Sequence, residues 1–168
     1  MRVGIALGSN LDDRLENLRA ARRHLFALHE YRGPFLCSHI YETEPVDCPP
    51  GSAAFLNAAI ELASTLPPLD LLKKLQRIEQ ILGRPSNHAH HAPRTIDLDI
   101  LYVGNRVLSN EEVVIPHPRL HLRRFVLTPL HDIRPDLVLP GQHLGIAELL
   151  ASLSDPAAVV LHAVTWAP

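Results

Sequence analysis

The stretch Thr95-Ile96-Asp97-Leu98-Asp99-Ile100-Leu101-Tyr102-Val103 decides how the chain folds. Its first half alternates apolar residues with carboxylates, the period-two pattern of a strand with one face in a core. Ile96, Leu98 and Ile100 then point inward, and Asp97 and Asp99 point the other way, side by side. Upstream, Pro67-Pro68 can open a helix, with Leu69, Leu72, Leu75, Ile78 and Leu82 as its stripe and Gly83 just past its end. Residues 84–94 read as an irregular loop between that helix and the strand. Downstream, Gly104-Asn105 turns the chain into a short return strand over 106–109.

Farther out, residues 55–62 and 35–43 read as strands, joined by a proline-rich loop over 44–52. A strand over 2–7 ends at Gly8-Ser9-Asn10, a turn with capping chemistry. Leu11, Leu15, Leu18, Leu25 and Leu28 follow at helical spacing, with Asp12 and Asp13 in the first turn and Gly33-Pro34 as the stop. After the central strand come a fixed Pro116-His117-Pro118 loop and a helical stretch over 122–133 that Pro129 limits or restarts. A short helix is expected over 145–153, and no Lys or Arg follows Arg134, so the tail reads as structural. The order β-α-β-β-α-β predicts an α+β fold, a ferredoxin-like antiparallel sheet with helices packed on its faces. Residues 1–168 are expected to form a single domain.

Composition narrows the function. Sixteen Lys and Arg against eighteen Asp and Glu give a net charge of −2, which supplies no global field for a nucleic-acid partner. No apolar run approaches the ~20 residues of a membrane span, and the N-terminus carries no signal-peptide pattern. Cys37 and Cys48 form no motif, which favours a reducing, cytoplasmic setting. The chain is expected to act as a monomer on small molecules. Fifteen prolines imply many defined loops, and eleven histidines carry either chemistry or nothing in particular.

Two carboxylates at i and i+2 on a strand repel each other unless a cation lies between them. They are hard oxygen ligands suited to Mg2+, which is typically held by one or two carboxylates plus substrate phosphates. A solvated polar face is the bland alternative. Arg94 beside the pair and Arg84 across the loop supply the cations that phosphoryl transfer requires. The segment Gly4-Ile5-Ala6-Leu7-Gly8-Ser9-Asn10 lacks the Lys of a P-loop and the spacing of a dinucleotide fold, so any nucleotide is bound by another scheme. His117, between two prolines, has a stiff backbone and is either a phosphate contact or a surface turn residue. His88, His90 and His91 allow Zn2+ as a minor alternative.

The run His90-His91-Ala92-Pro93-Arg94-Thr95-Ile96-Asp97-Leu98-Asp99-Ile100-Leu101 resembles the signature of the 6-hydroxymethyl-7,8-dihydropterin pyrophosphokinases of folate biosynthesis. Ala6 to Leu11, Tyr41 to Pro45, Phe55 to Ala59, Gln76 to Glu79, Pro116 to Arg119 and Phe125 to Leu130 follow in that family's order, so the likeness spans about residues 3–152. The resemblance implies that ATP gives its β,γ-pyrophosphoryl unit to the pterin hydroxymethyl group and AMP leaves. It implies two Mg2+ on Asp97 and Asp99. Arg94, His117 and Arg123 would meet the phosphates, Gln76 and Glu79 would lie in the nucleotide site, and Arg84 would close over it. The pterin would stack between Phe55 and Phe125, which on burial tendency alone read as core. Asn57 would take its edge, helped by groups around Thr43, Glu44 and Val46.

The likeness has gaps. A further Arg is common two residues after Arg84, where this chain has Ser86. Trp is common at His91 and Gly at Ala92. The loop therefore gives up one charge and one stacking surface, for which neighbouring histidines are expected to substitute in part, making closure pH-sensitive. These gaps leave room for a degenerate relative that binds nucleotide or pterin without turnover.

Overall fold

The computed structural model describes residues 1–30, 32–45, 50–83 and 94–167. Strand β1 (Arg2–Ser9) runs through the middle of a sheet ordered β5-β1-β4-β3-β8, in which every described pairing is antiparallel. Here β2 is Leu36–Cys37, β3 is Ile40–Thr43, β4 is Phe55–Ala63, β5 is Asp97–Val103 and β8 is Val159–Ala163. β2 also pairs with β4. The β-α-β-β-α-β unit thus has the ferredoxin-like order, with its fourth strand beside its first.

Helix α1 (Arg14–Leu28) starts later than Gly8-Ser9-Asn10 suggests. Asp13 is its N-cap, with Oδ1 accepting the Glu16 N–H at 3.0 Å, and Leu18, Ala21 and Leu25 form its buried face. It ends before Gly33-Pro34, at Leu28. Helix α2 (Pro68–Ile81) does begin at the paired prolines, and Gly83 follows it at φ +102° in the left-handed region. These two helices cover one sheet face, where Val3, Ile5, Leu7, Leu56, Ala58, Ile60, Leu98 and Ile100 make the main core.

The expected single strand over 35–43 is broken at Ser38-His39. The Ser38 hydroxyl accepts the Ala59 N–H at 2.8 Å, taking the place of a ladder partner. The expected return strand over 106–109 does not pair with β5. It shortens to β6 (Leu108–Ser109), which pairs with β7 (Val114–Ile115). Asn110 makes that hairpin, its Oδ1 accepting the Glu112 and Val113 N–H groups at 2.9 and 2.8 Å.

Helix α3 (Arg124–Ile133) runs through Pro129 without a break, and α4 (Ile146–Ser152) follows. They pack on the opposite sheet face with Ala59, Leu101, Tyr102 and Leu120. The tail, read as structural but without a strand, contributes β8, paired along β3. Among the described residues no helix is long and apolar enough to cross a membrane.

β5 departs from strict alternation. Its register against β1 shifts between Gly4 and Ile5, leaving Leu101 as an extra residue. Asp97 and Asp99 share a face with Gly8 and Ala6. After the bulge Tyr102, opposite Gly4, lies on that same face.

Candidate active site

Four strands bring the site together. Asp97 of β5 stands opposite Gly8 of β1, Gly8 stands opposite Asn57 of β4, and Tyr41 of β3 ends the row. Opposed residues share a face. With neighbouring strands ~4.8 Å apart, the Asp97 and Asn57 backbones lie roughly 10 Å from each other. Gly8 between them carries no side chain. A Cβ there would lie 3.3 Å from Asn57 Oδ1 and 3.7 Å from the Phe55 ring, so glycine keeps the gap open. Asp99 occupies the adjacent row, opposite Ala6.

Both aspartates are half-buried, and Leu98 between them is buried on the other face, as the alternation requires. Arg94 Nη1 donates to Asp97 Oδ2 at 2.6 Å. The Arg94 backbone is tied to the end of β1 in both directions: its N–H donates to Asn10 Oδ1 at 2.7 Å, and its carbonyl accepts the Asn10 N–H at 3.1 Å.

β5 is an edge strand, and two elements cover its outer side. Glu79 of α2, itself buried, accepts the Leu98 N–H at 2.7 Å. The His117 N–H donates to the Leu101 carbonyl at 2.8 Å. The first contact places Glu79 behind the aspartates, and Gln76, exposed, lies one turn earlier on the same helix.

His117 has its pKa lowered to about 4, first by burial and then by Arg123 and Arg119, with Asp97 opposing. Its Nδ1 accepts the Arg119 N–H at 3.2 Å, so in the neutral ring the proton resides on Nε2. The ring is a neutral donor at pH 7. Arg123, just before α3, sets its guanidinium 5.4 Å from the centre of the Phe125 ring.

On the far side of the gap, Asn57 Nδ2 donates to Thr43 Oγ1 at 2.6 Å in a buried contact. That bond fixes the amide so that Oδ1 faces Gly8. Phe55 and Phe125 are half-buried and Glu44 is exposed beyond the end of β3. Arg84, Val46, Ser86, His88, His90, His91 and Ala92 lie outside the described residues. Among the described residues no cluster of three or more His, Cys, Asp or Glu side chains is arranged for a metal. A carboxylate pair completed by phosphate oxygens needs no such cluster.

Residues 4–135 match the model of the 7,8-dihydro-6-hydroxymethylpterin-pyrophosphokinases. The chain belongs to this pyrophosphokinase family. It is 40% identical over 153 residues to the 2-amino-4-hydroxy-6-hydroxymethyldihydropteridine pyrophosphokinase of Haemophilus influenzae, covering 90% of this chain and 92% of that one. To the Bacillus subtilis enzyme of the same name it is 43% identical over 131 residues, covering 77% and 75%. A crystal structure of an HPPK-DHPS in complex with substrates superposes with a TM-score of 0.67 at 16% identity, over 90% of this chain and 43% of that longer one. A Plasmodium falciparum HPPK-DHPS gives 0.67 over 89% and 44%. At that identity the structural likeness speaks for the fold.

Two positioning residues of this pyrophosphokinase carried no chemical signal in the sequence. Asn10 holds Arg94, and Asn17 in turn bonds Ser9 Oγ and the Leu11 carbonyl at 3.2 and 2.9 Å. The Gly8-Ser9-Asn10-Leu11 turn is therefore a mount for the arginine beside the aspartates. Its polar residues would have had to be read together with a partner 84 positions away.

Proposed function

We propose that this chain transfers the pyrophosphoryl unit of ATP to 6-hydroxymethyl-7,8-dihydropterin, releasing AMP. The row Asp97, Gly8, Asn57 carries the reading. It sets an acidic centre suited to a triphosphate two strands away from a fixed amide suited to a heterocycle edge. We read residues 1–168 as one catalytic domain.

The donor set fits Mg2+, because two half-buried carboxylates on one face leave hard oxygens beside a cation-rich rim. When bound there, the metal would offset triphosphate charge and orient reacting oxygens. The protein's own groups do the rest. Asn57 Oδ1 accepts a hydrogen bond from the pterin edge, and Phe55 and Phe125 cover the ring faces, so the hydroxymethyl group lies toward Gly8. Its oxygen forms the new bond to the β-phosphorus as its O–H bond breaks and the proton passes to water. The bond from that phosphorus to the bridging oxygen breaks, and AMP departs with the electron pair. His117 Nε2–H, Arg94 and Arg123 hold phosphate oxygens as charge shifts toward the leaving group. Gln76 lies on the nucleotide side, and Thr43 and Glu44 border the pterin.

The test is product identity. Incubation with ATP, Mg2+ and the reduced pterin should release AMP only when the pterin is present, and EDTA should stop it. Formation of ADP would contradict the reading. Pterin-dependent AMP that persists in EDTA would remove the metal from it.

A further inference from the structure

Helix α3 presents Arg123 just ahead of its first turn and Phe125 within it, yet that turn has no cap of its own. The N-cap Arg123 makes no side-chain cap bond, and the first turn contains no acidic residue. A helix start leaves several N–H groups needing acceptors and favours nearby negative charge. Asp155, 31 residues later, meets both needs: its Oδ2 accepts the Arg124 N–H at 3.1 Å. Its Oδ1 accepts the Ala157 N–H at 2.9 Å, which fixes the carboxylate. The Arg124 side chain grips back, Nε donating to the Asp155 carbonyl at 3.1 Å and Nη2 to the Leu153 carbonyl at 3.0 Å.

The other end of α3 is held separately. Asp132 accepts the Tyr41 hydroxyl at 2.9 Å and the His39 N–H at 3.0 Å, and Arg134 Nη1 donates to buried Glu61 at 2.5 Å. Loss of Asp155 would thus loosen only the first turn, where Arg123 and Phe125 flank the clamped Arg124. Asp155 also lies beyond residues 4–135, the part that the family model matches. We infer that Asp155 is a positioning residue for substrate binding, setting Phe125 and Arg123 through the Arg124 backbone. This rests on the functional reading above, in which Phe125 covers the pterin.

Steady-state kinetics and amide hydrogen exchange on the full chain test it. D155A should raise the KM for the pterin about fivefold with kcat little changed, as expected when binding rather than chemistry is lost. It should also speed exchange of the Arg124 to Leu127 amides. D155N keeps an acceptor and should fall nearer wild type. E148A is the control for general destabilisation, since Glu148 Oε2 accepts the Gly145 N–H at 2.9 Å in the neighbouring helix and has no part in the clamp. It should lower Tm and leave the pterin KM alone. The inference is overturned if E148A raises that KM as much as D155A does, if D155N is as poor as D155A, or if D155A changes neither KM nor exchange. If D155A does not fold, D155N and E148A decide by the same comparison. A wild-type protein that releases no AMP would fail the functional reading, while the exchange data would still decide the clamp.

Discussion

Replacing Gly4 with Ala should be among the most damaging single-methyl changes in this chain. Gly4 lies between Glu61 and Tyr102 in the cross-strand row at the far end of the sheet. A Cβ on Gly4 would lie 2.2 Å from Tyr102 Cε1, 2.6 Å from Cζ and 2.7 Å from Cδ1. Carbons settle at about 3.5–4.0 Å, so the ring must move by more than an ångström. It has little room, being 1% exposed and packed with Leu101, Val126, Leu127 and Leu130. Its hydroxyl donates to the fully buried Glu61, which also pairs with Arg2 and Arg134. Overpacking costs about 1–3 kcal/mol. Losing a buried hydrogen bond to a charged group adds about 1–3 kcal/mol. Urea unfolding of G4A should therefore show a loss of about 2–6 kcal/mol. Y102L should relieve the clash, so that G4A/Y102L is at least about 2 kcal/mol better than the sum of the single losses. The row of Gly8 and Asn57 lies about 13 Å along β1 from Gly4, and Asp99, opposite Ala6, about 7 Å, so folded G4A should retain its pterin KM. A G4A loss under about 0.5 kcal/mol, or a strictly additive double variant, would refute the argument.

D97N and D99N should each cut kcat by about 100-fold or more while leaving the Tm close to wild type, measured by AMP release and thermal melts. N57A removes the acceptor fixed beside Gly8, and should raise the pterin KM at least about fivefold with the ATP KM unchanged, read from initial rates. His117 makes stability depend on pH. Its folded pKa of about 4 lies below the ordinary 6.5, so between those values the unfolded chain binds a proton that the folded one does not. Stability from this group is full above pH 6.5 and is lost as pH falls toward 4. Urea midpoints at pH 7 and pH 5 should converge in H117Q relative to wild type.

Short-range patterns were the legible part of this molecule. Asp97 and Asp99 could be placed on one face from alternation alone, and α2 from its proline start and its stripe. Contacts joining distant residues left no spacing to read. Nothing near Asn10 marks it as the mount of Arg94, and nothing near Asp155 marks it as the cap of α3. β8 was missed because Val160, Leu161 and His162 are exposed in succession, so no one-sided alternation marks a strand, and its pairing depends on the edge that β3 offers. The return strand failed for a related reason: Asn110, five residues past the turn, makes the hairpin that Gly104-Asn105 seemed to promise. Phe55 and Phe125 read as core on hydrophobicity. Their partial exposure at the rim follows from where β4 and α3 begin.

The extra residue at Leu101 has a consequence for how β5 can change over time. Were Leu101 itself paired with Gly4 in a regular ladder, Tyr102 would turn to the α1 and α2 face and leave Glu61 without its phenol. With Leu101 as an extra residue, the strand has two side-chain frames: residues 97–100 serve the reacting centre and, past the bulge, Tyr102 serves the anchoring of α3. A substitution that twists or frays the first frame stops at the bulge. The acidic end of β5 can therefore drift in sequence and chemistry while the buried ionic knot that anchors α3 is inherited intact. Deleting Leu101 would let Ile100 and Tyr102 pair in succession with Ile5 and Gly4, merging the two frames into one regular ladder in which a disturbance can travel the whole strand.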